Sequence, residues 1–532
     1  MTLYENILRS SRGYHGPALT FLNQTVNYDE LKKHIKDLGQ RLSHLGIKKD
    51  DVVCLCAPNI PQTVYAMYAL DMIGAISFIV HPLFPVLGLK EELKRTKAKL
   101  LLVIDQRYSY YAKQIGEVPI YALSAQFDLP FLFRPFYRMI YAKELKGLKR
   151  GDFLENVPKK PLAEIAVNHD DAKPSFYLES GGTTGKSKIV VLNDYAVSFP
   201  GSQATWILEK TTKDVVGTTM IGLLPMFHGF GLAMGVNAPL ANKAVSALMV
   251  SYDGKRITRL MEKGKLDYLI CIPYMARKLL DNKHFKGRKL KNLDHAFIGA
   301  DKPMQSLFRE FDQRLEEAGS KCRLLEGYGL TETVTVITVN RLAARKVGSV
   351  GRPLKGVNLR IVDENGKVLP FGRPGQIEID CPCMMLGYLD DPKATAEAFA
   401  YDDRGKRWLK TGDEGWLDKD GFLFFRERIK NVFKIAGHNV FPSDIEGLAS
   451  KDERLMALAA VCVPAPRHPY VHLFIQVKPG FPEGEVIADL RKVLSGTLIR
   501  YSVPEKITAV SSMPRTKVGK IDRKALLERP DI

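Results

Sequence analysis

The sequence predicts an α/β protein with a large N-terminal domain of parallel-type sheets flanked by helices, a small β-rich subdomain, and a smaller α+β unit at the C-terminus. Three observations carry this prediction. Short, wholly apolar runs of strand length alternate with runs of helical period from residue 28 to residue 298, the pattern of parallel strands covered on both faces. Between 352 and 416 turn signals crowd together, at Asp363-Glu364-Asn365-Gly366, Pro370-Phe371-Gly372 and Gly387, marking a β-rich subdomain over about 351–425. Beyond a basic stretch at 428–439, the remaining residues make a compact α/β tail. A chain of 532 residues also exceeds what one hydrophobic core organises.

In chain order, residues 28–45 carry apolar side chains at helical spacing and stop at Gly46, and 51–57 reads as a strand. Residues 61–73 read as a helix and 75–80 as a buried strand that ends at His81-Pro82. Helix 90–96 and the buried strand 100–104 follow. Cys54 and Cys56 alternate at period two within VVCLCA, so both fall on one face of their strand. The chain's seven cysteines lack the C-x-x-C spacing of metal sites and read as reduced core thiols. Residues 131–150, FLFRPFYRMIYAKELKGLKR, interrupt the rhythm by interleaving aromatics with Arg134, Arg138, Lys143, Lys146, Lys149 and Arg150. Two readings fit them equally: an anchor resting on an anionic bilayer, or a connector packed on the body. Strands and helices alternate again through 223–225, 268–272 and 296–298.

Composition sets bounds on function. Hydrophobic residues at 45% and charged residues at 26% exclude disorder and coiled coil. The first residues, MTLYENILRSSRGYHG, lack the apolar core of a signal peptide, and the apolar run 66–80 is broken by Asp71 and too short to span a bilayer. The expected location is the cytoplasm, with peripheral contact at the inner face of the membrane through 131–150. Lys and Arg number 78 against 59 Asp and Glu, a net charge of +19 that favours polyanionic partners. Nucleotides, coenzyme A and anionic lipid qualify. No nucleic-acid motif accompanies the charge, so nucleic acid is not an expected partner.

The chemistry begins at residues 177–191, YLESGGTTGKSKIVV, which read as strand, polar loop and strand. Glycines let backbone N–H groups approach a phosphate, the Thr183 and Thr184 hydroxyls add donors or a cation ligand, and Lys186 and Lys188 supply compact positive charge. The nucleotide-hydrolase loop GxxxxGK[ST] is excluded, because Ser180 stands where its first glycine belongs and β-branched residues follow instead of a helix. In LEGYGLTET, Tyr328 between Gly327 and Gly329 suits a purine platform, Thr331 suits a phosphate, and Glu332 suits Mg2+. In WLKTGD, Asp413 suits the two hydroxyls of a ribose, with Arg428 fifteen residues on.

SGGTTGKSK, GYGLTET, KTGD, RERIKNVFKIAGHNVFPSDIE and PRTKVGK occur in one order over nearly the whole chain. In this the sequence resembles the adenylate-forming enzymes, the superfamily of acyl-CoA synthetases, aryl-CoA ligases, luciferases and peptide-synthetase adenylation domains. The resemblance implies that Ser180, Thr183, Thr184, Gly185, Lys186 and Lys188 hold the phosphates of ATP, and that Gly327, Tyr328, Gly329 and Thr331 contact AMP. It further implies that Glu332 and Thr184 serve Mg2+, that Asp413 and Arg428 bind ribose, and that Lys520 bridges the acyl carboxylate and the α-phosphate. One ammonium at about 4 Å is worth on the order of 4 kcal/mol at an effective dielectric of about 20. Residues 1–429 would form the AMP-binding domain and 430–532 a mobile lid, turning at Lys430 and opening a thiol tunnel near Gly437. The chain departs from the family's usual pattern at Glu179, Gly182, Ser187 and Ala436.

The resemblance also bears on the acid. Amino-acid-activating relatives carry an Asp near LLPMFHGFG that this chain lacks, and His228 matches the histidine beside the acyl entrance of acyl- and aryl-CoA synthetases. Phe227, Phe230, Leu232 and Met234, with Ile298, Gly299 and Ala300, suit an uncharged acyl group. The segment before residue 151 resembles that of bacterial long-chain fatty acid ligases. The expectation is a medium- or long-chain fatty acid, ATP, Mg2+ and coenzyme A. Aryl or steroid acids, and an acyl carrier protein as acceptor, are the alternatives.

Overall fold

The computed structural model describes residues 1–162, 172–180, 187–435, 438–465, 468–516 and 519–529. Two large sheets dominate the N-terminal part. The first has seven strands in the order Gly387–Tyr388, Ile189–Leu192, Phe176–Glu179, Ile76–Ile79, Val52–Cys56, Leu100–Ile104 and Ile120–Leu123. Its last five strands run parallel and the first two antiparallel. Val53 and Leu55 face the main core, while Cys54 and Cys56 face a second apolar cluster with Phe78, Leu101 and Tyr111. A strand buried on both faces must be apolar throughout, which is why its sequence shows no polar alternation. Both cysteines are unpaired thiols, as are the other five.

The second sheet has nine strands. Six run parallel: Pro17–Phe21, Val245–Leu248, Thr219–Gly222, Tyr268–Cys271, His295–Ile298 and Leu324–Gly329. Antiparallel partners close both edges. Helices Tyr28–His44 and Pro61–Ile73 pack between the sheets. The first is started by Asn27, whose side chain accepts from Glu30 N–H while the Glu30 carboxylate accepts from Asn27 N–H. The strand expected at 223–225 lies upstream, at Thr219–Gly222, because Leu223 to Pro225 already turn toward the next helix. The helix expected at 90–96 is longer, Val86–Arg95, beginning after Pro85.

The β-rich stretch folds as a five-stranded antiparallel sheet containing Asn358–Val362, Gly375–Asp380, Phe399–Tyr401, Arg407–Leu417 and Leu423–Arg428. The C-terminal unit has Tyr470–Val477 at the centre of a three-stranded sheet, paired with Leu455–Val463 on one side and Lys506–Ala509 on the other, with helices Pro442–Ala449 and Glu483–Thr497 packed on it. It has apolar clusters of its own. Its contacts with the body include ion pairs: Arg309 with Glu453 at 2.8 Å, Lys478 with Glu310 at 2.9 Å, and Asp444 with Arg426 at 2.8 Å. No described helix is long and apolar enough to cross a membrane.

Candidate active site

Parallel strands end together, so loops leaving their carboxyl ends converge. From the nine-stranded sheet, Thr219–Gly222 leads to His228, Tyr268–Cys271 to Tyr274, His295–Ile298 to Gly299, Ala300 and Asp301, and Leu324–Gly329 through Tyr328 to Thr331. From the seven-stranded sheet, Ile76–Ile79 leads to His81 and Phe176–Glu179 to Ser180. The aromatic contact between His81 and Phe227, centroids 4.8 Å apart, joins the two sets.

The five-stranded sheet supplies Asp413 and Arg428, which stand opposite each other across Arg407–Leu417 and Leu423–Arg428. Asp413 is buried, 3% exposed. The Tyr328 hydroxyl donates to its Oδ2 at 2.7 Å, and the Arg428 Nε lies 3.5 Å from Oδ1. Burial raises the Asp413 pKa, against the opposing pull of Arg428 and Tyr328. Tyr328 packs near Phe425, centroids 5.9 Å apart. A planar ring beside a buried carboxylate and a guanidinium suits a nucleoside and its sugar.

Thr331 and Glu332 sit on the short turn Thr331–Thr333. The Tyr388 hydroxyl donates to Glu332 Oε1 at 2.8 Å, and the Lys188 ammonium lies over the Tyr388 ring at 4.5 Å. Glu332, Lys188 and Asp413 lie in a common electrostatic neighbourhood with Lys430, whose pKa is lowered by burial and then by Arg428. On the residues flanking 181–186, Ser180 N–H donates to the Lys188 carbonyl at 2.8 Å and Ser187 Oγ donates to Glu179 at 3.1 Å. Arg95 adds a bond from Nη1 to the Ser187 carbonyl at 3.1 Å. Thr183, Thr184, Gly185, Lys186 and Gly437 lie outside the described residues.

His228 opens a wide π-helical segment, Phe230–Asn237. Gly229 permits this approach: a Cβ there would stand 1.5 Å from the Val334 carbonyl oxygen. Val334 itself adopts φ +63°, a strained conformation for a β-branched residue, directly after the Glu332 turn. Burial pushes the His228 pKa down to about 4, with Lys520 and His81 pushing the same way, so the ring is neutral near pH 7. Its Nε2 is buried and has no hydrogen-bond partner among the described residues. Phe230 and Gly299 share a wall, since a Cβ on Gly299 would lie 3.6 Å from the Phe230 ring and 3.2 Å from the Gly327 carbonyl oxygen. Ala300 is exposed at φ +70°. Leu232 is fully buried in the core, whereas Met234 lines an apolar pocket with Met220, Ala238, Tyr268 and Phe297.

Lys520 comes to this cleft from the C-terminal unit. Beside it, Thr516 N–H donates to the Lys520 carbonyl at 2.8 Å and Arg515 Nη1 donates to the Gly519 carbonyl at 2.9 Å. Arg515 and Gly519 rest on the body: the Arg515 guanidinium covers the Tyr274 ring at 4.4 Å, and a Cβ on Gly519 would come within 2.6 Å of Ile272. Burial lowers the Lys520 pKa, while Asp301 and Asp413 pull it upward and Arg428 pushes it down. The Lys520 ammonium is thus within electrostatic reach of Asp413, Arg428 and His228. Sequence reasoning missed Asp301, which immediately follows the selected Ala300, and Tyr388, which lies in a strand too short for its pattern to register. It also missed His81, noticed only as a strand end.

Residues 10–389 match the family model of the AMP-binding enzyme. The chain belongs to that family, and curated relatives that it matches are acid–CoA ligases. Enzymes of this class use ATP, Mg2+ and coenzyme A. A 2-succinylbenzoate–CoA ligase of Listeria monocytogenes is 26% identical over 515 residues, 96% of each chain. A long-chain-fatty-acid–CoA ligase of Escherichia coli is also 26% identical, over 96% of this chain and 91% of its own. ATP-bound MatB from Rhodopseudomonas palustris shares the fold at TM-score 0.83 and 21% identity over 99% of both chains. A benzoate CoA ligase from Burkholderia xenovorans does so at 0.83 and 18%, over 99% of this chain and 100% of that one.

Proposed function

We propose that the chain is a fatty acyl-CoA synthetase. The carboxylate of a medium- or long-chain fatty acid attacks the α-phosphorus of ATP, the bond to the β-phosphate breaks, and acyl-AMP and pyrophosphate form. The coenzyme A sulfur then attacks the acyl carbon, the bond to AMP breaks, and the thiol proton is released. The observation that carries this reading is that Arg515 and Gly519 sit on Tyr274 and Ile272 of the body, which brings the Lys520 ammonium within electrostatic reach of Asp413, Arg428 and His228. An attacking carboxylate and a phosphate repel, and an enclosed cation between them offsets that repulsion. Asp413 and Arg428 hold the ribose, and Tyr328 and Thr331, with Gly327 and Gly329, contact the rest of AMP. Ser180, Thr183, Thr184, Gly185, Lys186 and Lys188 take the phosphates.

Glu332, with Thr184, would hold Mg2+. Among the described residues no three acidic, histidine or cysteine side chains form a metal cluster. A single carboxylate fits an ion that enters on a triphosphate and keeps phosphate oxygens as ligands. When bound, the ion supplies positive charge against the phosphate oxygens.

The body, 1–429 with its 351–425 subdomain, carries the nucleotide, and 430–532 is a lid turning at Lys430. Partly exposed ion pairs join the two and each contributes little, so a lid could release them at small cost. Rotation withdraws Lys520 and opens the thiol path near Gly437. The apolar wall of Phe230 and Gly299 favours an uncharged chain. The enzyme works in the cytoplasm and touches the inner face of the membrane through 131–150.

Aryl or steroid acids, and a carrier protein as acceptor, are the competing readings. Pyrophosphate release across a panel of fatty, aryl and steroid acids separates the acids, and fatty acids should give the highest kcat/KM. Holo carrier protein supplied in place of coenzyme A should yield no product. Release only with aryl acids, or transfer only to the carrier, overturns the reading.

A further inference from the structure

Residues 131–150 reverse the usual arrangement of a protein surface. Along Phe131–Phe133 and Arg134–Ile140 the large apolar side chains stand in solvent: Phe131 is 79% exposed, Leu132 77%, Ile140 68% and Met139 65%, with Phe133 and Phe136 each at 57%. The polar side chains between them bond back to the preceding segment and the body. Arg134 donates to the Leu129 and Phe127 carbonyls at 3.2 and 3.1 Å, and Arg138 Nε donates to Gln126 at 2.9 Å. Tyr137 is buried, its hydroxyl donating to Asp105 at 3.0 Å and accepting from Gln106 at 2.8 Å. The segment is thus pinned with its apolar face outward, and an exposed patch of this size marks a contact. Of the two readings that the sequence left open, packing on the body holds for Tyr137, Tyr141 and Leu145 but not for the six exposed side chains.

The neighbouring charges choose the occupant. Lys143, Lys146, Lys149 and Arg150 are exposed beside the patch, and none forms a side-chain ion pair with a carboxylate among the described residues. A second copy of the chain would set these cations against their own likeness, whereas an anionic lipid surface complements them. Position agrees. The segment leaves the carboxyl end of Ile120–Leu123, and the phosphate loop leaves the same edge of that sheet from Phe176–Glu179. Four strand spacings separate them, roughly 20 Å.

We propose that residues 131–140 form a wedge that inserts into the headgroup region of an anionic bilayer, with Lys143, Lys146, Lys149 and Arg150 against the lipid phosphates. This deepens the membrane contact proposed above and does not depend on which acid is activated. The test is sedimentation of the full-length protein with phosphatidylcholine vesicles containing about one third phosphatidylglycerol, without ATP or acid. F131S/L132S/F136S/M139S should lower partitioning at least about tenfold. K143E/K146E/K149E/R150E should lower it by at least about fivefold per cation on these vesicles and leave binding to pure phosphatidylcholine unchanged. Both variants should keep wild-type pyrophosphate release with acid presented monomerically, which separates this proposal from the substrate reading. Wild-type protein that stays in the supernatant, or variants that sediment like it, would refute the wedge. Self-association lost in the serine variant would assign the surface to a second copy instead.

Discussion

Asp413→Asn should move stability and catalysis in opposite directions. Asp413 is buried, and its pKa is raised above the ordinary carboxylate value because burial outweighs Arg428 and Tyr328. The folded state therefore holds this proton more tightly than the unfolded state does. Stability is fullest below the unfolded pKa and declines as pH rises through the folded one, so at neutral pH the ionised carboxylate strains the nucleotide-free protein. Asparagine keeps the shape without the charge, and the variant should melt at a higher temperature at pH 7 than wild type. ATP use should suffer. The carboxylate accepts from Tyr328 at 2.7 Å on one oxygen and faces Arg428 at 3.5 Å on the other, so the amide nitrogen must oppose one of these donors. Losing one charge-assisted hydrogen bond to the ribose costs about 1.5–3 kcal/mol, or roughly 10- to 150-fold in kcat/KM for ATP. Steady-state kinetics and thermal unfolding measure both effects. A variant that is less stable at pH 7 while keeping wild-type kcat/KM would show that Asp413 is a structural carboxylate and would refute the reasoning.

Two further outcomes follow from the geometry. His228, with its pKa pushed from 6.5 to about 4, must lose stability as pH falls through that window, by about 3 kcal/mol at roughly 1.4 kcal/mol per unit; urea titrations at several pH values should show His228→Gln flattening that slope. Glu310 accepts from both Arg277 and Lys478, the latter on the C-terminal unit, so Glu310→Gln should loosen the closed arrangement, slowing adenylation by up to about fivefold while thioester formation is unchanged or faster; an equal loss in both half-reactions would argue against a mobile lid.

Much of the fold was legible because buried parallel strands and amphipathic helices leave strong patterns. Helix Tyr28–His44 falls where its apolar period sets it, and strand Leu100–Ile104 where its continuous apolar run does. Strand Thr219–Gly222 was displaced in the reading because Leu223 and Leu224 continue its apolar run after the backbone has turned. The π-helical Phe230–Asn237 has no period-based signal, since it is set by the close approach of Gly229 to Val334. In the candidate site, Tyr328, Asp413, Arg428 and Lys520 were found through motifs, and their meeting depends on three sheets whose order no local pattern encodes. Asp301 and Tyr388 act on Lys520 and Glu332 from distant parts of the chain, so only tertiary structure reveals them.

The central claim is that Lys520 serves acyl-AMP formation alone, and the most direct measurement compares the two half-reactions in Lys520→Ala. Pyrophosphate release from acid and ATP should fall by about 10^3-fold, the equivalent of one ammonium worth about 4 kcal/mol. Thioester formation from supplied acyl-AMP and coenzyme A should stay within about threefold of wild type. Equal losses in the two reactions, or undiminished pyrophosphate release, would contradict the account.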